Sequence, residues 1–353
     1  MKTKATVLKQ SIGNDFSKNE FVVCFWQHLS DNHKRIKSSR TFKNTLKGFQ
    51  LFIDWVEKHR NPNLEVSIIL EPTGVYHENF MYYLEEHTDY KQSLVVGNQT
   101  KAFAQSLGIQ TKTDKVDAKV LGRLGLERED LRIWRPFSPN LRIIKQLCRE
   151  RVYLIEDKTA LSNRKHALQN SFDPNGEELD RLLERIETID QQVEEIESRI
   201  QQGVKTDKTL QEPIKKICAI KGLRLITVAT IVAEMNGFVL FTNRSQVVSY
   251  CGYDVVQRQS GISINGKTKI SKRGNRYIRR ALYFPAIVAG RHEPTFIALY
   301  DRVLDRSGIK MKAAVAVQRK LLVLIYALFT KNEDFDPTYQ HQTQKNLVPV
   351  ATN

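Results

Sequence analysis

A nearly continuous apolar run at residues 64–70, LEVSIIL, constrains the fold of this chain more than any other stretch. A run of this length and composition predicts a β-strand that is buried on both faces, which requires helices on both sides of its sheet. Short runs bounded by turn residues predict four further strands, at residues 5–13, 20–29, 34–37 and 93–97. Helical periodicity follows at residues 41–59, 75–86, 99–107 and 116–126. A strand meander followed by alternating strands and helices predicts a mixed α/β domain with a central sheet.

The middle of the chain, residues 140–202, has a helical pattern that is interrupted only by the Asp-Pro-Asn-Gly turn of residues 173–176. Beyond this turn, apolar residues recur at alternating spacings of three and four, at Leu179, Leu182, Ile186, Ile189, Val193, Ile196 and Ile200. So narrow a stripe predicts a coiled-coil seam, either in a helix hairpin or between the subunits of a dimer. The alternative is an amphipathic helix that packs on the core of its own domain.

Another domain is predicted to begin near residue 210. Residues 217–235 read as two apolar helices around a Lys221-Gly222 turn, which predicts either a phosphate-binding helix-hairpin-helix or a plain helical hairpin. Beyond Tyr250 the chain is basic and loop-like until two apolar helices, at residues 279–289 and 313–329. The predicted organisation is an α/β domain, a helical coiled-coil connector, a mainly helical domain and a polar tail, at residues 1–140, 141–209, 210–331 and 332–353.

The charge balance favours a nucleic-acid partner. Lys and Arg number 55 against 39 Asp and Glu, and the resulting net charge of +16 and pI of about 9.6 suit a surface that neutralises phosphate. Membrane binding is the competing use of positive charge. The longest apolar run, residues 321–329, is short enough for a buried helix, and residues 1–13 lack the features of a signal peptide. We therefore expect no membrane partner and a location in a bacterial or archaeal cytoplasm.

The cysteines give no sign of a metal or disulfide framework. Cys24, Cys148, Cys218 and Cys251 are far apart in sequence, which predicts buried thiols in a reducing compartment. His28 and His33 could at most join Cys24 as three zinc ligands, and a strand followed by a turn explains these residues as well.

Two acidic residues stand three positions apart in the stretch TKTDKVDAK, at Asp114 and Asp117. On a helix this spacing places both carboxylates on one face, where they repel unless a cation, a proton or nearby lysines offset them. The simpler interpretation is a solvated helix start that complements the helix dipole. Asp15 just past the first predicted strand and Glu71 directly after LEVSIIL are two more acids at strand ends. Because the carboxyl ends of neighbouring strands converge on one crevice, we expect these four carboxylates to meet.

Paired carboxylates in a basic protein indicate a divalent metal, Mg²⁺ or Mn²⁺, because such ions prefer oxygen ligands and bridge carboxylates to phosphates. Two such ions clamp the attacking and leaving oxygens of a phosphodiester reaction. The lysines of the same stretch are then expected where a nucleic-acid backbone arrives: Lys112, Lys115 and Lys119. His77, close after Glu71, is interpreted as structural or substrate-facing.

A second constellation lies at residues 260–280, SGISINGKTKISKRGNRYIRR. Its candidate nucleic-acid-binding residues are Lys267, Lys269, Lys272, Arg273, Asn275, Arg276, Arg279 and Arg280. The segment is either a phosphate-binding loop without chemistry or the site of a serine nucleophile. A nucleophilic serine needs a base and a group that stabilises charge on phosphorus. The cations supply the second, and we expect the acidic cluster to supply the first.

Four segments carry a family resemblance: SIGNDFSKNEF, LEPTGVYHENF, TKTDKVDAKVLGRL and GYDVVQRQSGISINGKTKISKRGNRYIRRAL. In order and spacing they resemble the DEDD-type insertion-sequence transposases related to the Piv DNA invertases, a group that looks like bridge-RNA-guided recombinases. The resemblance covers nearly the whole chain. It implies a RuvC-like, RNase H-fold N-terminal domain, a coiled-coil connector and a C-terminal transposase domain with a nucleophilic serine.

The resemblance also implies residue roles. A Mg²⁺-binding acidic tetrad would consist of Asp15, Glu71, Asp114 and Asp117. The nucleophile would be Ser260, with Ser263 and Ser271 as rivals. Val255 stands where the family often has proline, a departure that concerns loop shape more than chemistry. Asn14, beside the first aspartate, is another departure and is expected to matter little.

The hypothesis implied is site-specific DNA recombination by a dimer or tetramer joined through the coiled coil. A structured guide RNA would pair with double-stranded donor and target DNA, leaving the protein to recognise backbone and shape. Ser260 would form a covalent phosphoserine link, and we expect it to meet the acidic site across subunits. One alternative is a metal-dependent nuclease or transposase in which water or a 3′-hydroxyl attacks and Ser260 only binds phosphate. Another is a non-catalytic RNA- or DNA-binding scaffold, which would gain nothing from carboxylates that repel phosphate.

Overall fold

A five-stranded mixed sheet forms the centre of the N-terminal part of the chain. Its strands are β1 (Val7–Phe16), β2 (Glu20–Leu29), β3 (Lys34–Lys43), β4 (Val66–Leu70) and β5 (Lys91–Leu94), in the spatial order β3-β2-β1-β4-β5. The first three strands pair antiparallel as a meander, whereas β4 runs parallel to β1 and β5 runs parallel to β4. The predicted mixed α/β architecture is confirmed, and the apolar strand β4 lies in the interior of the sheet.

The computed structural model describes residues 5–72, 74–257, 259–260, 264–266 and 268–336, and it divides between Pro136 and Phe137 into two compact units. The helices of the first unit are α1 (Leu46–His59), α2 (Glu78–His87), α3 (Gly97–Ser106) and α4 (Asp114–Glu127). An aromatic core formed by the sheet with α1 and α2 lies on one face. Ile69 of β4 packs with Leu121 and Leu124 of α4 on the other face. Helices therefore cover both faces, as a strand buried on both sides requires.

The first strand is longer than its sequence predicts. Residues 5–13 were expected, but β1 continues to Phe16 because Asp15 pairs with Val22 across a tight hairpin. Asp15 therefore lies in the strand, and not just past it. This places its side chain at a fixed position in the sheet.

The end of the third strand also differs from the prediction, because β2 supplies hydrogen-bond partners to the polar sequence of β3. β3 reaches Lys43, so residues 41–43 belong to a strand and not to the predicted helix. The helix α1 begins after Thr45, whose Oγ1 accepts a hydrogen bond from the Gly48 N–H at 3.3 Å. The strand predicted at residues 93–97 similarly occurs earlier, as β5, and Gly97 begins α3.

The second unit is mainly helical, as predicted. Its helices are α5 (Pro139–Gln169), α6 (Gly176–Thr206), α7 (Lys208–Ile217), α8 (Leu225–Glu234), α9 (Arg244–Tyr250), α10 (Arg276–Ala281), α11 (Tyr283–His292), α12 (Pro294–Ser307) and α13 (Lys310–Lys331). Four two-residue strands form two antiparallel pairs: β6 (Val255–Val256) with β9 (Lys269–Ile270), and β7 (Gln259–Ser260) with β8 (Ile264–Asn265). These strands, α9 and α12 were not predicted. Of the two helices predicted at residues 217–235, the second is present as α8, whereas α7 ends at Ile217, so the first lies earlier in the chain than predicted. A phosphate-binding role for the Lys221-Gly222 turn stays a prediction.

The predicted connector forms a helical hairpin within the chain. Ion pairs join Arg151 to Glu197, Lys158 to Asp190 and Arg164 to Glu178. Their order along the two helices shows that α5 and α6 run antiparallel. In the predicted seam, Leu182, Ile196 and Ile200 are buried and the other four residues are partly buried. The hairpin therefore accounts for much of the apolar stripe, and a dimer contact through it stays a prediction.

The last described helix, α13, is apolar enough to cross a bilayer by length and composition, with 22 residues and a mean hydropathy of 1.6. In the structure it packs against α7, α9, α11 and α12 and contributes Val317, Leu321 and Ile325 to the core of the second unit. A core helix explains its composition. Of the polar tail predicted at residues 332–353, the part from residue 337 onward lies outside the described residues.

Candidate active site

A contact between glycines fixes α4 against the sheet. A Cβ atom added to Gly13 of β1 would lie 2.1 Å from the Ala118 carbonyl oxygen and 2.2 Å from the Gly122 nitrogen. Only glycine permits this approach, so the backbone of α4 lies directly on β1. Asp15 stands two positions after Gly13 and therefore points to the same face of the sheet. The contact brings the first turn of α4 close to the end of β1.

The first turn of α4 carries the two aspartates of the TKTDKVDAK stretch. Thr113 caps the helix, since its Oγ1 accepts a hydrogen bond from the Val116 N–H at 3.3 Å. Asp114 and Asp117 follow within the first turn, near the positive end of the helix dipole. The helix thus begins two residues earlier than the predicted residue 116, and both carboxylates lie on it.

Glu71 reaches the site from the end of β4. Its Oε1 lies 2.7 Å from the position that a Cβ atom on Gly97 would occupy. Gly97 begins α3, so the absence of a side chain there leaves room for the Glu71 carboxylate. The neighbouring residues Val75 and Val96 are exposed apolar side chains.

The four predicted acids interact electrostatically. Burial, and after it the charges of Asp114, Asp117 and Glu71, together raise the pKa of Asp15 from 3.8 to about 6. Burial also raises the pKa of Asp117, where Lys112 acts in the opposite direction and Glu71 and Asp114 add to the rise. Three segments that are distant in sequence therefore bring their acids within electrostatic range of one another, and we call Asp15, Glu71, Asp114 and Asp117 the acidic cluster.

The donor set of the acidic cluster suits a hard divalent cation, because it consists of carboxylate oxygens whose repulsion a cation would relieve. The cluster is not a closed ligand shell. Within the described residues, no three His, Cys, Asp or Glu side chains converge closely enough to hold a metal ion.

The raised pKa of Asp15 has a consequence for stability. A folded-state pKa of about 6 against 3.8 means that Asp15 stabilises the fold fully below pH 3.8 and loses this contribution as the pH rises through 6. In metal-free buffer at pH 7.5 we expect Asp15→Asn to raise the free energy of unfolding by ~1–2 kcal/mol, a value reduced for partial solvation. Urea titrations at pH 4 and pH 7.5 measure the change. A variant less stable than the wild type at pH 7.5 would contradict it.

The lysines of the same stretch lie at the surface beside the cluster. Lys112 is exposed before α4, and Lys115 and Lys119 are exposed on it. Lys119 lowers the pKa of the Cys24 thiol, although burial has the larger effect and raises that pKa overall. Lys119 therefore lies near the β2 side of α4. Nucleic-acid binding by these lysines stays a prediction.

Histidine contributes little in the described residues of the first unit. His28 contacts Asn32 Oδ1 through Nε2 at 2.9 Å. No metal-binding group includes it, within the limits of the described chain. His77 is buried, which lowers its pKa, and it precedes α2. A structural role suits this position better than a substrate-facing one.

The predicted serine segment lies in the second unit, in the region of the two short strand pairs. Ser260 ends β7, whose backbone pairs with β8, with Ser260 opposite Ile264. The rival Ser263 and the cation Lys267 lie outside the described residues. Ser271 is partly buried, and its Oγ accepts a hydrogen bond from the Arg273 N–H at 3.3 Å.

The candidate nucleic-acid-binding residues of this segment divide into two groups. Lys269, Lys272 and Arg273 are exposed. The others contact their own unit. Asn275 caps α10, Arg276 stacks on Tyr277 at 5.1 Å, Arg279 donates to the Cys251 carbonyl at 2.8 Å, and Arg280 pairs with Glu156.

A buried carboxylate, Glu234, holds the end of this basic segment in place and was missed from the sequence. Its side chain is fully buried and receives Arg149 through two hydrogen bonds, at 2.6 and 2.8 Å. Asn275 Nδ2 donates to Glu234 Oε2 at 2.7 Å, and the Arg149 guanidinium lies 4.6 Å from the Tyr277 ring centroid. The sequence feature that could have indicated a buried, paired Glu234 is that it is the one acid in the otherwise apolar helix LITVATIVAE.

Two family models match this chain in separate parts. A transposase model of the DEDD type in the IS110 group matches residues 12–174, and one described as "Transposase IS116/IS110/IS902 family" matches residues 214–301. The first match contains the acidic cluster and the second contains Ser260. Together they span most of the chain.

Curated relatives include two invertases. The chain is 28% identical over 334 residues to the pilin gene-inverting proteins of Moraxella bovis and Moraxella lacunata, covering 93% of this chain and 98% of each relative. It is 26% identical over 139 residues to an uncharacterized 42 kDa protein of insertion element IS900 from Mycobacterium paratuberculosis, covering 37% of this chain and 35% of that protein.

Among solved structures, the chain matches T. thermophilus RuvC in complex with Holliday junction substrate, with a TM-score of 0.27 and 7% identity over 36% of this chain and 100% of that one. It also matches an Aquifex aeolicus Ppx/GppA protein, with a TM-score of 0.21 and 10% identity over 92% of each chain. Scores this low carry no argument about function.

Proposed function

We propose that this chain, which matches two transposase models of the IS110 group over residues 12–174 and 214–301, is a DNA recombinase or transposase that carries out RNA-guided, site-specific recombination through a serine nucleophile. In this proposal a structured RNA pairs with donor and target DNA. The protein, as a dimer or tetramer, cuts and rejoins the strands. The observation that supports the proposal most directly is the electrostatic interaction of Asp15 with Asp114, Asp117 and Glu71, which adds to the effect of burial in raising the pKa of Asp15 to about 6.

We further propose that the first unit is a RuvC-like nuclease domain of the RNase H fold. Its support is the strand order β3-β2-β1-β4-β5, with an antiparallel meander joined to two parallel strands. The acids lie at the ends of β1 and β4 and at the start of α4. Carboxyl ends of strands are where sites of α/β sheets are built.

Asp15, Glu71, Asp114 and Asp117 would hold Mg²⁺ or Mn²⁺, which would supply Lewis-acid stabilisation of charge on the scissile phosphate. Burial and the neighbouring carboxylates raise the pKa of Asp15 to about 6, and a bound cation would lower that pKa and keep the carboxylate ionised. The exposed lysines 112, 115 and 119 would bind the neighbouring phosphates of the DNA.

In the serine step, the Ser260 oxygen forms a bond to phosphorus while the bond from phosphorus to one sugar oxygen breaks. The serine proton would pass to a carboxylate of the acidic cluster of another subunit, and the departing sugar oxygen takes up a proton as a hydroxyl. The phosphoserine link conserves the bond energy, so that a sugar hydroxyl of another strand can reverse the step and rejoin the DNA. Lys269, Lys272 and Arg273 would stabilise the charge on phosphorus.

A second candidate function is supported by the acidic cluster alone. A metal-dependent transposase in which water or a 3′-hydroxyl attacks needs the same four carboxylates and no serine nucleophile. In that case Ser260 would only contact phosphate. The two candidates differ in whether a protein–DNA adduct forms.

The test is a strand-exchange assay with the full chain, the RNA that copurifies with it, and donor and target duplexes. We expect exchange to require both the RNA and Mg²⁺, and to fall by at least about 10³-fold when a chelator removes the metal or when Asp114→Asn replaces the wild type. Sequencing the copurified RNA should reveal one structured species. Unchanged exchange by Asp114→Asn would indicate a non-catalytic scaffold, and exchange without RNA would exclude the guided mechanism.

A further inference from the structure

The outer edge of the sheet is a long basic strand. β3 has ten residues, KRIKSSRTFK, and pairs only with β2, so the backbone of its other edge is unpaired within the described sheet. Five of the ten residues are cations and none is acidic. Strand edges often carry lysine to prevent sheet-to-sheet association, which is the simplest explanation of such charge.

Three of these five cations are not neutralised by the described protein. Lys34 pairs with Glu127 at 2.8 Å, and Lys43 approaches Glu20 at 3.5 Å. Among the described residues, Arg35, Lys37 and Arg40 form no ion pair with a carboxylate, and all three are exposed. Protection of an edge does not require charge to be left uncompensated in this way.

The two arginines are nevertheless held in place by neutral partners. Arg35 donates through Nε and Nη2 to Gln27 Oε1, at 3.4 and 3.1 Å. The guanidinium of Arg40 lies 5.0 Å from the centroid of the Phe42 ring. Gln27 and Phe42 are both buried, so each arginine rests on a fixed support and keeps its full charge. Pre-ordering of this kind lowers the entropy cost of binding an anion.

Both arginines lie on the face of the sheet opposite the acidic cluster. Arg40 pairs with Val23, which belongs to the aromatic core shared with α1. The adjacent residue Val22 packs with Ala118 of α4 on the other face. Gln27, the partner of Arg35, stands two positions after Phe25 of the same aromatic core, on the same face as Val23. A ligand held by these arginines is therefore not in position to be cut by the cluster.

We infer that the β3 edge, defined by Arg35, Lys37 and Arg40, binds the phosphate backbone of the structured RNA that guides the protein. The inference rests on the proposed function and adds a binding surface to it. A register shift within β3 places Arg35 and Arg40 opposite Gln27 and Val23, which are four positions apart on β2. At a rise of about 3.3 Å per residue the two arginines are about 13 Å apart and can contact separate phosphates.

Charge complementarity selects this occupant. A second copy of β3 would place three unneutralised cations against three, which repel, so edge-to-edge pairing of two copies is disfavoured. DNA that reacts must reach the acidic cluster, which lies on the other face. RNA is the nucleic acid that the proposed mechanism holds without cutting. Phosphate contacts give affinity and position without sequence readout, which suits a guide whose bases must stay free to pair.

The test compares two triple variants of the full chain with equal net charge. Arg35→Gln, Lys37→Gln and Arg40→Gln remove the β3 cations, whereas Lys58→Gln, Lys101→Gln and Lys205→Gln remove three exposed lysines from α1, α3 and α6. Labelled copurified RNA and a duplex DNA are the two probes, titrated at several salt concentrations. Size-exclusion chromatography and thermal melting confirm that both variants fold and keep the oligomeric state of the wild type.

We expect the β3 variant to bind the RNA ~10- to 100-fold more weakly at 0.15 M salt, with a shallower salt dependence by about two to three phosphate contacts, and to bind DNA within about twofold of the wild type. RNA affinity equal to that of the control variant would overturn the inference, as would a loss confined to DNA. If the β3 variant self-associates but binds the RNA as tightly as the wild type, the β3 cations only prevent pairing between sheets, and the inference is overturned. A wild type that retains no RNA would refute the guided function itself.

Discussion

Replacing Ser260 by alanine is expected to abolish DNA strand exchange, with a loss of at least about 10³-fold. The proposed mechanism requires a covalent bond between the Ser260 oxygen and phosphorus, and alanine has no atom that can form it. Binding of RNA and DNA should be nearly unchanged, because recognition depends on cations elsewhere. The measurement is exchange in Mg²⁺, together with recovery of a protein–DNA adduct after denaturation and its mapping by mass spectrometry.

Two serines of the same segment are matched controls. Ser263→Ala and Ser271→Ala remove the same hydroxyl a few residues away and should retain adduct formation and most exchange. The Ser271 Oγ accepts a hydrogen bond from the backbone of its own loop, so a modest loss of exchange in Ser271→Ala would reflect a change in loop geometry. Cleavage that survives in Ser260→Ala would favour attack by water or a 3′-hydroxyl. An adduct that maps to Ser263 would transfer the nucleophile to that residue.

Truncation of Glu234 is expected to cost about 3 kcal/mol of folding free energy. Glu234→Ala leaves the guanidinium of Arg149 and the amide of Asn275 without their carboxylate partner in a buried site. The value lies at the lower end of the usual range for buried pairs because Arg149 is 40% exposed. Guanidinium chloride unfolding measures the loss. Because Asn275 caps α10, the end of the basic segment should also loosen.

The matched control is another Arg–Glu pair of the same unit. Glu197 pairs with Arg151 on the partly exposed α5–α6 hairpin, and Glu197→Ala should cost less than about 1 kcal/mol. Glu234→Gln should fall between the two, since the amide keeps a hydrogen bond to its neighbours but loses the charge. Equal losses for Glu197→Ala and Glu234→Ala would show that burial of Glu234 does not determine its contribution.

Much of the fold could be predicted from local sequence patterns. β2 and β4 have apolar sequences that only a covered sheet can accommodate, and the predicted boundaries of β2 match the structure. β3 was predicted too short, because a polar edge strand takes its hydrogen bonds from β2 and has little apolar signal of its own. The two-residue strands β6 to β9 lie below the length at which periodicity can be recognised.

The acids of the candidate site were predictable because each lies at or just after the end of a recognisable strand or in the first turn of a helix. Their supporting contacts were not. The approach of Gly13 to Gly122 depends on residues that are more than a hundred positions apart, and neither glycine has a local pattern that indicates it. Glu234 is similar, because its partners Arg149 and Asn275 come from distant helices. Sequence patterns indicate which residues bear charge, whereas packing between elements decides which charges meet.

The glycine contact between β1 and α4 has a consequence for tolerance to mutation. The main chains of β1 and α4 are in direct contact, with no layer of side chains between them. The distance of Asp15 from Asp114 and Asp117 therefore does not depend on which side chains fill the aromatic core on the opposite face. Substitutions in the aromatic core can therefore accumulate without changing the geometry of the acidic cluster. A single methyl group added at Gly13 or Gly122 would push α4 away from β1 and so move Asp114 and Asp117 relative to Asp15. The geometry of the acidic cluster is therefore most sensitive to substitution at these two glycines.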